Sequence, residues 1–126
     1  MRRLALCAVL LAGCGGGPTP PPSTPGDLLV TYSPGNFEAG ALLLTITGGK
    51  VDNVSAVGAQ QVTFTGTVPG TIRVLVIGAI VSGDLIRIRV PDLSLSADYQ
   101  VRIDQVADKN TFSLIDPAGY ATAVHR

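Results

Sequence analysis

Ser82-Gly83-Asp84-Leu85-Ile86-Arg87-Ile88-Arg89-Val90 decides the fold class: from Ile86 onward apolar and basic side chains alternate, directly behind a Gly-Asp turn. A period of two belongs to a strand with one dry face and one wet face. The segment Tyr99-Gln100-Val101-Arg102-Ile103-Asp104 repeats the pattern, with Gln100, Arg102 and Asp104 on the wet side. Working outward, short apolar runs recur between Gly, Pro, Asn and Asp clusters at intervals of about eight to twelve residues, the spacing of a sandwich or barrel. Strands are expected near Leu28 to Tyr32, Ala41 to Thr47, Val51 to Ala56, Gln61 to Thr67, Thr71 to Ile77, Leu85 to Val90, Tyr99 to Val106, Thr111 to Ile115 and Ala121 to His125. Turns are expected at Ser33-Pro34-Gly35-Asn36, Gly48-Gly49, Val68-Pro69-Gly70, Ser82-Gly83-Asp84 and Asp108-Lys109-Asn110, where glycine or asparagine supplies positive φ and proline a fixed one. Pro91 to Asp98 has room for one helical turn. The expected fold is all-β: a single antiparallel β-sandwich of about nine strands, jelly-roll or Ig-like, with no long helix.

Two segments depart from simple alternation. Ala41-Leu42-Leu43-Leu44-Thr45-Ile46 and Ile72-Arg73-Val74-Leu75-Val76-Ile77 are apolar on nearly both sides. Such strands are either central and covered by loops, or they offer an apolar face to a partner. Cover by loops is the expected arrangement, because open apolar surface invites aggregation.

The amino-terminal part has a different character. Met1-Arg2-Arg3 is followed by the apolar run Leu4 to Leu11 and then by Gly13-Cys14. That run is far below the roughly 18 to 20 residues needed to cross a bilayer, so it reads as a cleaved export signal. Leu11-Ala12-Gly13-Cys14 resembles the lipobox of bacterial lipoproteins. The resemblance implies cleavage before Cys14, a diacylglycerol thioether on its sulfur, and a lipid anchor in the cell envelope. Gly15 follows Cys14, and in the sorting rule of enteric bacteria the absence of Asp there permits transfer to the outer membrane. The expected organisation is therefore 1–13 signal peptide, 14–26 lipidated cysteine and tether, and 27–126 sandwich domain. The tether, Gly15-Gly16-Gly17-Pro18-Thr19-Pro20-Pro21-Pro22-Ser23-Thr24-Pro25-Gly26, is too poor in apolar residues to fold. At about 3 Å per residue it lifts the domain a few tens of Å from the lipid.

Composition excludes several classes. Cys7 and Cys14 are the only cysteines, so the domain carries no disulfide and must stand on its own core. With 46% hydrophobic residues that core is available. Nine basic and nine acidic residues balance, and loss of Arg2 and Arg3 with the leader makes the remainder slightly acidic, which argues against nucleic acid as a partner. His125 is the only histidine, with no thiol to act beside it, and no nucleophile elbow, phosphate loop or zinc motif occurs. No enzymatic activity and no cofactor are expected.

The order of the strands carries a second resemblance. Gly40-Ala41-Leu42-Leu43, then Ile72 to Val76, then Ser82 to Val90, then Asp98-Tyr99-Gln100-Val101-Arg102-Ile103 is similar to the pattern of cohesin-type domains. The resemblance implies a nine-stranded sandwich, related to some carbohydrate-binding modules, that binds protein partners through one sheet face. The domain is shorter than typical cohesins and the chain shows no dockerin-like segment, which argues against cellulosome assembly. The leading functional expectation is a non-enzymatic, lipid-anchored envelope module that binds another envelope protein. The alternative is a carbohydrate- or peptidoglycan-binding module.

Candidate residues follow from these expectations. Arg73, Arg87, Arg89 and Arg102 sit on strands expected to be neighbours in one sheet. There they either grip anionic groups of an envelope polymer or pair with Asp104 and Asp84 and cover the sheet with their stems; pairing is the expected role. For sugar binding the chain has no Trp. Phe64, Phe112 and Tyr99 fall on apolar faces, leaving Tyr32, Phe37 and Tyr120 as ring platforms. Asp104, Asp108, Asn110 and Asp116 are oxygen ligands suited to calcium, but their spacing departs from the calcium-loop pattern. The expectation is no metal, with Asp108 and Asn110 shaping a turn and Asp104 pairing with an arginine.

Overall fold

The computed structural model describes residues 22–68 and 70–126. The leader, Cys14 and the tether as far as Pro21 lie outside the described residues, as does Pro69 in the turn expected around it. The described chain forms nine strands: β1 Gly26–Ser33, β2 Ala39–Thr47, β3 Asn53–Ala56, β4 Gln61–Val68, β5 Thr71–Ile77, β6 Gly83–Val90, β7 Gln100–Asp108, β8 Leu114–Ile115 and β9 Ala121–His125. A 3₁₀ helix, Leu93–Asp98, occupies the expected helical turn. The strands make two antiparallel sheets, one ordered β3-β6-β1-β9 and the other β4-β5-β2-β7-β8. The all-β sandwich expected from alternation is the observed architecture.

Alternation sets the core. In β6, Ile86, Ile88 and Val90 are fully buried while Arg87 and Arg89 face solvent. Leu28, Val30 and Tyr32 of β1 join them from the same sheet, and Leu42, Leu44 and Ile46 of β2 with Val74 and Val76 of β5 meet them from the other. Burying each such side chain stabilises the fold by about 1.5–3 kcal/mol, enough for a small domain to stand without a cross-link.

Two of the four register shifts in the sheets explain where strict alternation stops in β6 and β7. Val30 pairs with Ile86 and Thr31 with Asp84, so Leu85 is the extra residue, and Leu85 and Ile86 both enter the core. Across β2, Leu43 pairs with Gln105 and Leu44 with Ile103, so Asp104 is the extra residue. A bulge shifts the face of everything after it, which lets Val106 reach the core after Ile103.

Turns and closure follow from particular residues. Asp92 caps the 3₁₀ helix, accepting from the Ser94 amide at 3.0 Å, and the Leu93 amide donates to the Thr24 carbonyl at 2.7 Å. Gly48 turns with φ +109°, where a Cβ would lie 1.8 Å from the Asp98 carbonyl oxygen. The Tyr99 hydroxyl donates to the Lys50 carbonyl at 2.5 Å. The Thr122 hydroxyl donates to the Val101 carbonyl at 2.9 Å, joining β9 of one sheet to β7 of the other. Of the expected strands, the eighth is the most shortened: Phe112 takes φ +56°, which ends extended backbone before Leu114.

Candidate functional site

The outer faces of the two sheets differ in chemistry. On the four-stranded sheet Asp27 stands between Arg87 and Arg89, at 3.8 and 3.6 Å. His125 Nε2 lies 3.1 Å from Asp84, and this contact raises the imidazole pKa above its ordinary value. All of these groups are exposed, so the pairs add little stability and chiefly keep the face hydrated.

The outer face of the five-stranded sheet is mixed. At one end Asp104 gathers three groups: it accepts hydrogen bonds from the Thr45 hydroxyl and from Arg102 Nε at 2.7 Å, and the Arg73 guanidinium stands 3.6 Å away as an ion-pair partner. Burial pushes the Asp104 carboxyl up, but the hydrogen bonds from Thr45 and Arg102 and the charges of Arg102 and Arg73 outweigh it and hold the carboxyl below its usual range. The four arginines expected in one sheet are thus divided. Arg73 and Arg102 flank Thr45 in one sheet, whereas Arg87 and Arg89 lie on the opposite outer face. The expected pairing with Asp104 is present; Asp84 instead holds His125, and Asp27 serves the other two arginines.

The rest of that face is apolar. Register places Leu43 of β2 beside Leu75 of β5, and Ala41 between Ile77 and Ala107, with Leu114 of β8 beyond. Leu75 and Ile77 keep 38% and 39% of their surface open and Leu114 keeps 66%. Leu43, Leu75, Gln105, Ala107 and Leu114 line a depression of about 180 Å³. The expectation that loops cover the two double-sided strands is therefore corrected. β2 and β5 are central, yet Leu75 and Ile77 of β5 are exposed on the outer face, with Ala41 and Leu43 of β2 half-buried beside them. The signal was present in the sequence as apolar residues on both sides of each strand. Leu114 had no such signal, since a two-residue strand shows no period.

The aromatic candidates separate. Tyr32 is 2% exposed, a core residue stacked on Tyr120 with ring centroids 6.4 Å apart, and so offers no sugar platform. Phe37 and Tyr120 do come together. The Tyr120 hydroxyl donates to the Phe37 carbonyl at 2.5 Å and accepts from the Phe37 amide at 3.2 Å. Asn36, Phe37, Asp116 and Tyr120 border an open pocket of about 290 Å³ in which the Phe37 ring is 60% exposed. Phe112 and Phe64, expected on buried faces, are largely and partly open, while Tyr99 is buried as expected.

The acidic candidates do not converge. Asp108 accepts from the Asn110 and Thr111 amides at 2.7 and 3.1 Å, and these bonds lower its pKa. Asp116 accepts from the Ala118 amide at 2.9 Å. Each is a local turn in which the carboxylate replaces a missing backbone partner. Among the described residues no cluster of three acidic, histidine or cysteine side chains is arranged to hold a metal ion, and no helix is long and apolar enough to cross a membrane.

The fold and its faces define the molecule at the level of class: a small antiparallel sandwich with one charged and one partly apolar outer face. Comparison with protein-family models, with curated proteins and with solved structures finds no match to this chain.

Proposed function

We propose that this chain is a non-enzymatic binding module of the bacterial envelope, anchored through lipid on Cys14, that docks another envelope protein on the outer face of its five-stranded sheet. The observation that supports it is the apolar run of exposed Leu75, Ile77 and Leu114 with half-buried Leu43 among them, bordered by Arg73, Arg102 and Asp104. An apolar centre with a charged rim is the usual anatomy of a protein interface. Gly15, next to Cys14, favours the outer membrane, and the proline tether sets the reach. The decisive experiment is recovery of a stoichiometric partner on the native acylated protein. Leu75→Lys abolishes its capture, while Arg87→Ala, on the opposite face, leaves it intact. Equal capture by both variants sinks the proposed face, and Cys14→Ser protein that still fractionates with membranes sinks the anchor.

A second reading rests on the pocket of Asn36, Phe37, Asp116 and Tyr120. An exposed ring beside a carboxylate and an amide is the chemistry of a sugar subsite. Glycan arrays and peptidoglycan pull-downs with a Phe37→Ala control test it, and uniformly blank results remove it.

A further inference from the structure

The free edge of β4 stands apart from every other edge in the described structure. β4 runs for eight residues, Gln-Val-Thr-Phe-Thr-Gly-Thr-Val, with no charge and no proline, and pairs only with β5. The edges elsewhere are short: four residues in β3, two in β8, and five in β9, which ends at the His125–Asp84 contact. A strand edge is a row of unpaired amide and carbonyl groups, and folded proteins normally blunt it with lysine, proline, a bulge or brevity. From Gln61 to Gly66 β4 uses none of these; its register against β5 shifts only after Gly66, at the end of the strand.

We propose that β4 is a dimerisation edge, pairing antiparallel with β4 of a second copy of this chain around a two-fold axis at Thr65. Three features select a second copy. Antiparallel pairing of a strand with itself is self-complementary, so both copies use the same surface. An uncharged strand brings no like charges face to face when it meets its twin. With Thr65 on the axis, Phe64 of each copy lies across from Gly66 of the other. Those two positions share the inward side of the strand, because their partners on β5 are Val74 and Ile72. Gly66 has only the Ile72 side chain and the Thr71 carbonyl within 4 Å of where its Cβ would stand, and Phe64 is 37% exposed. Each ring therefore covers the bare backbone of the opposite glycine, a cross-strand pairing known to rescue glycine in sheets. The dimer joins two five-stranded sheets into one and sets their apolar outer faces side by side. It depends neither on the lipid anchor nor on a docked partner.

Light scattering on the full chain in mild detergent, corrected for bound detergent, tests this from about 1 to about 500 µM, the range of small interfaces. The expected result is a concentration-dependent shift to twice the single-chain mass, with slowed exchange of the outward-pointing β4 amides. Thr65→Lys sets two lysines on the axis beside the two Arg73 side chains and returns the mass to one chain. An equimolar mixture with Thr65→Glu restores the double mass, and Asn53→Lys on the β3 edge changes nothing. A chain that stays monomeric throughout, or a dimer that Thr65→Lys leaves unmoved, overturns the proposal.

Discussion

A buried tyrosine and a half-buried aspartate show how differently an oxygen behaves without and with partners. The Tyr32 hydroxyl is fully enclosed and has no hydrogen-bond partner among the described residues; burial, with Tyr120 nearby, pushes its pKa up to about 12. A buried donor without a partner carries its whole desolvation penalty. Tyr32→Phe is thus expected to leave stability unchanged or raise it by up to about 1 kcal/mol, read from urea midpoints at constant slope; a loss larger than that shows a partner the structure does not contain. Asp104 is the converse, a carboxylate that accepts from Thr45 and Arg102 and faces the Arg73 charge, and its Asn variant is expected to lose about 1–2 kcal/mol at neutral pH because the charge-assisted bond to Arg102 and the attraction of Arg73 go with the charge. Folding lowers this carboxyl's pKa, so its contribution is complete above the ordinary aspartate value of about 3.9 and is lost as pH falls through the lower folded value. The stability difference between wild type and Asp104→Asn should therefore close in that acid range. A difference that stays constant down to the acid limit assigns the loss to packing instead.

At the scale of elements, the sequence was most legible where period two runs unbroken. β6 from Ile86 to Val90 and the first half of β7 were readable because each faces water on one side. The double-sided β2 and β5 were readable as strands but not as open or covered, since periodicity reports a face without saying what lies above it. Sheet membership was not legible at all. Arg87 and Arg73 occupy similar local sequences on opposite faces of the sandwich, because β6 pairs with β1 and β3 whereas β5 pairs with β2 and β4. Those pairings are set by connections far apart in the chain. Bulges were half legible: two adjacent core residues, Leu85 and Ile86, mark one, but nothing around Asp104 marks the other. The expected sugar platform lost Tyr32 for the same reason, since alternation from Leu28 through Val30 carries Tyr32 into the core. Turn glycines were legible by type but not by cost. Gly48 and Gly119 both have positive φ, at +109° and +93°, yet a Cβ on Gly48 meets the Asp98 carbonyl while one on Gly119 meets nothing within 4 Å. Gly119→Ala is expected to cost about 1 kcal/mol, the backbone penalty alone, and Gly48→Ala at least about 2 kcal/mol more because the turn must move. Equal thermal shifts for the two variants would refute the steric part.

For the whole molecule, the pairing pattern governs how the sandwich is reached. β1 is central in its sheet, yet its neighbours are β6 and β9, so Leu29 must find both Arg87 and His125. Neither sheet is assembled from a run of consecutive strands: β2 takes β5 and β7 as neighbours while β3 crosses to the other layer. Only hairpins such as β4–β5 form locally, and none of them buries the core alone, since the buried faces of β1, β2, β5 and β6 meet only when both sheets are present. Closing such long loops before any burial rewards them makes the barrier largely entropic. Cys7 and Cys14 both precede the first strand, so no disulfide can link one strand to another during pairing. Refolding of the full chain from urea is accordingly expected in milliseconds to seconds, the range of non-local β domains, at a rate indifferent to reductant. Stopped-flow tyrosine fluorescence reports it, because Tyr32 and Tyr99 move from water into the core. A microsecond relaxation would mean that local structure carries the barrier, and a reductant-sensitive rate would place thiol chemistry on a folding path that the geometry routes through strand pairing alone.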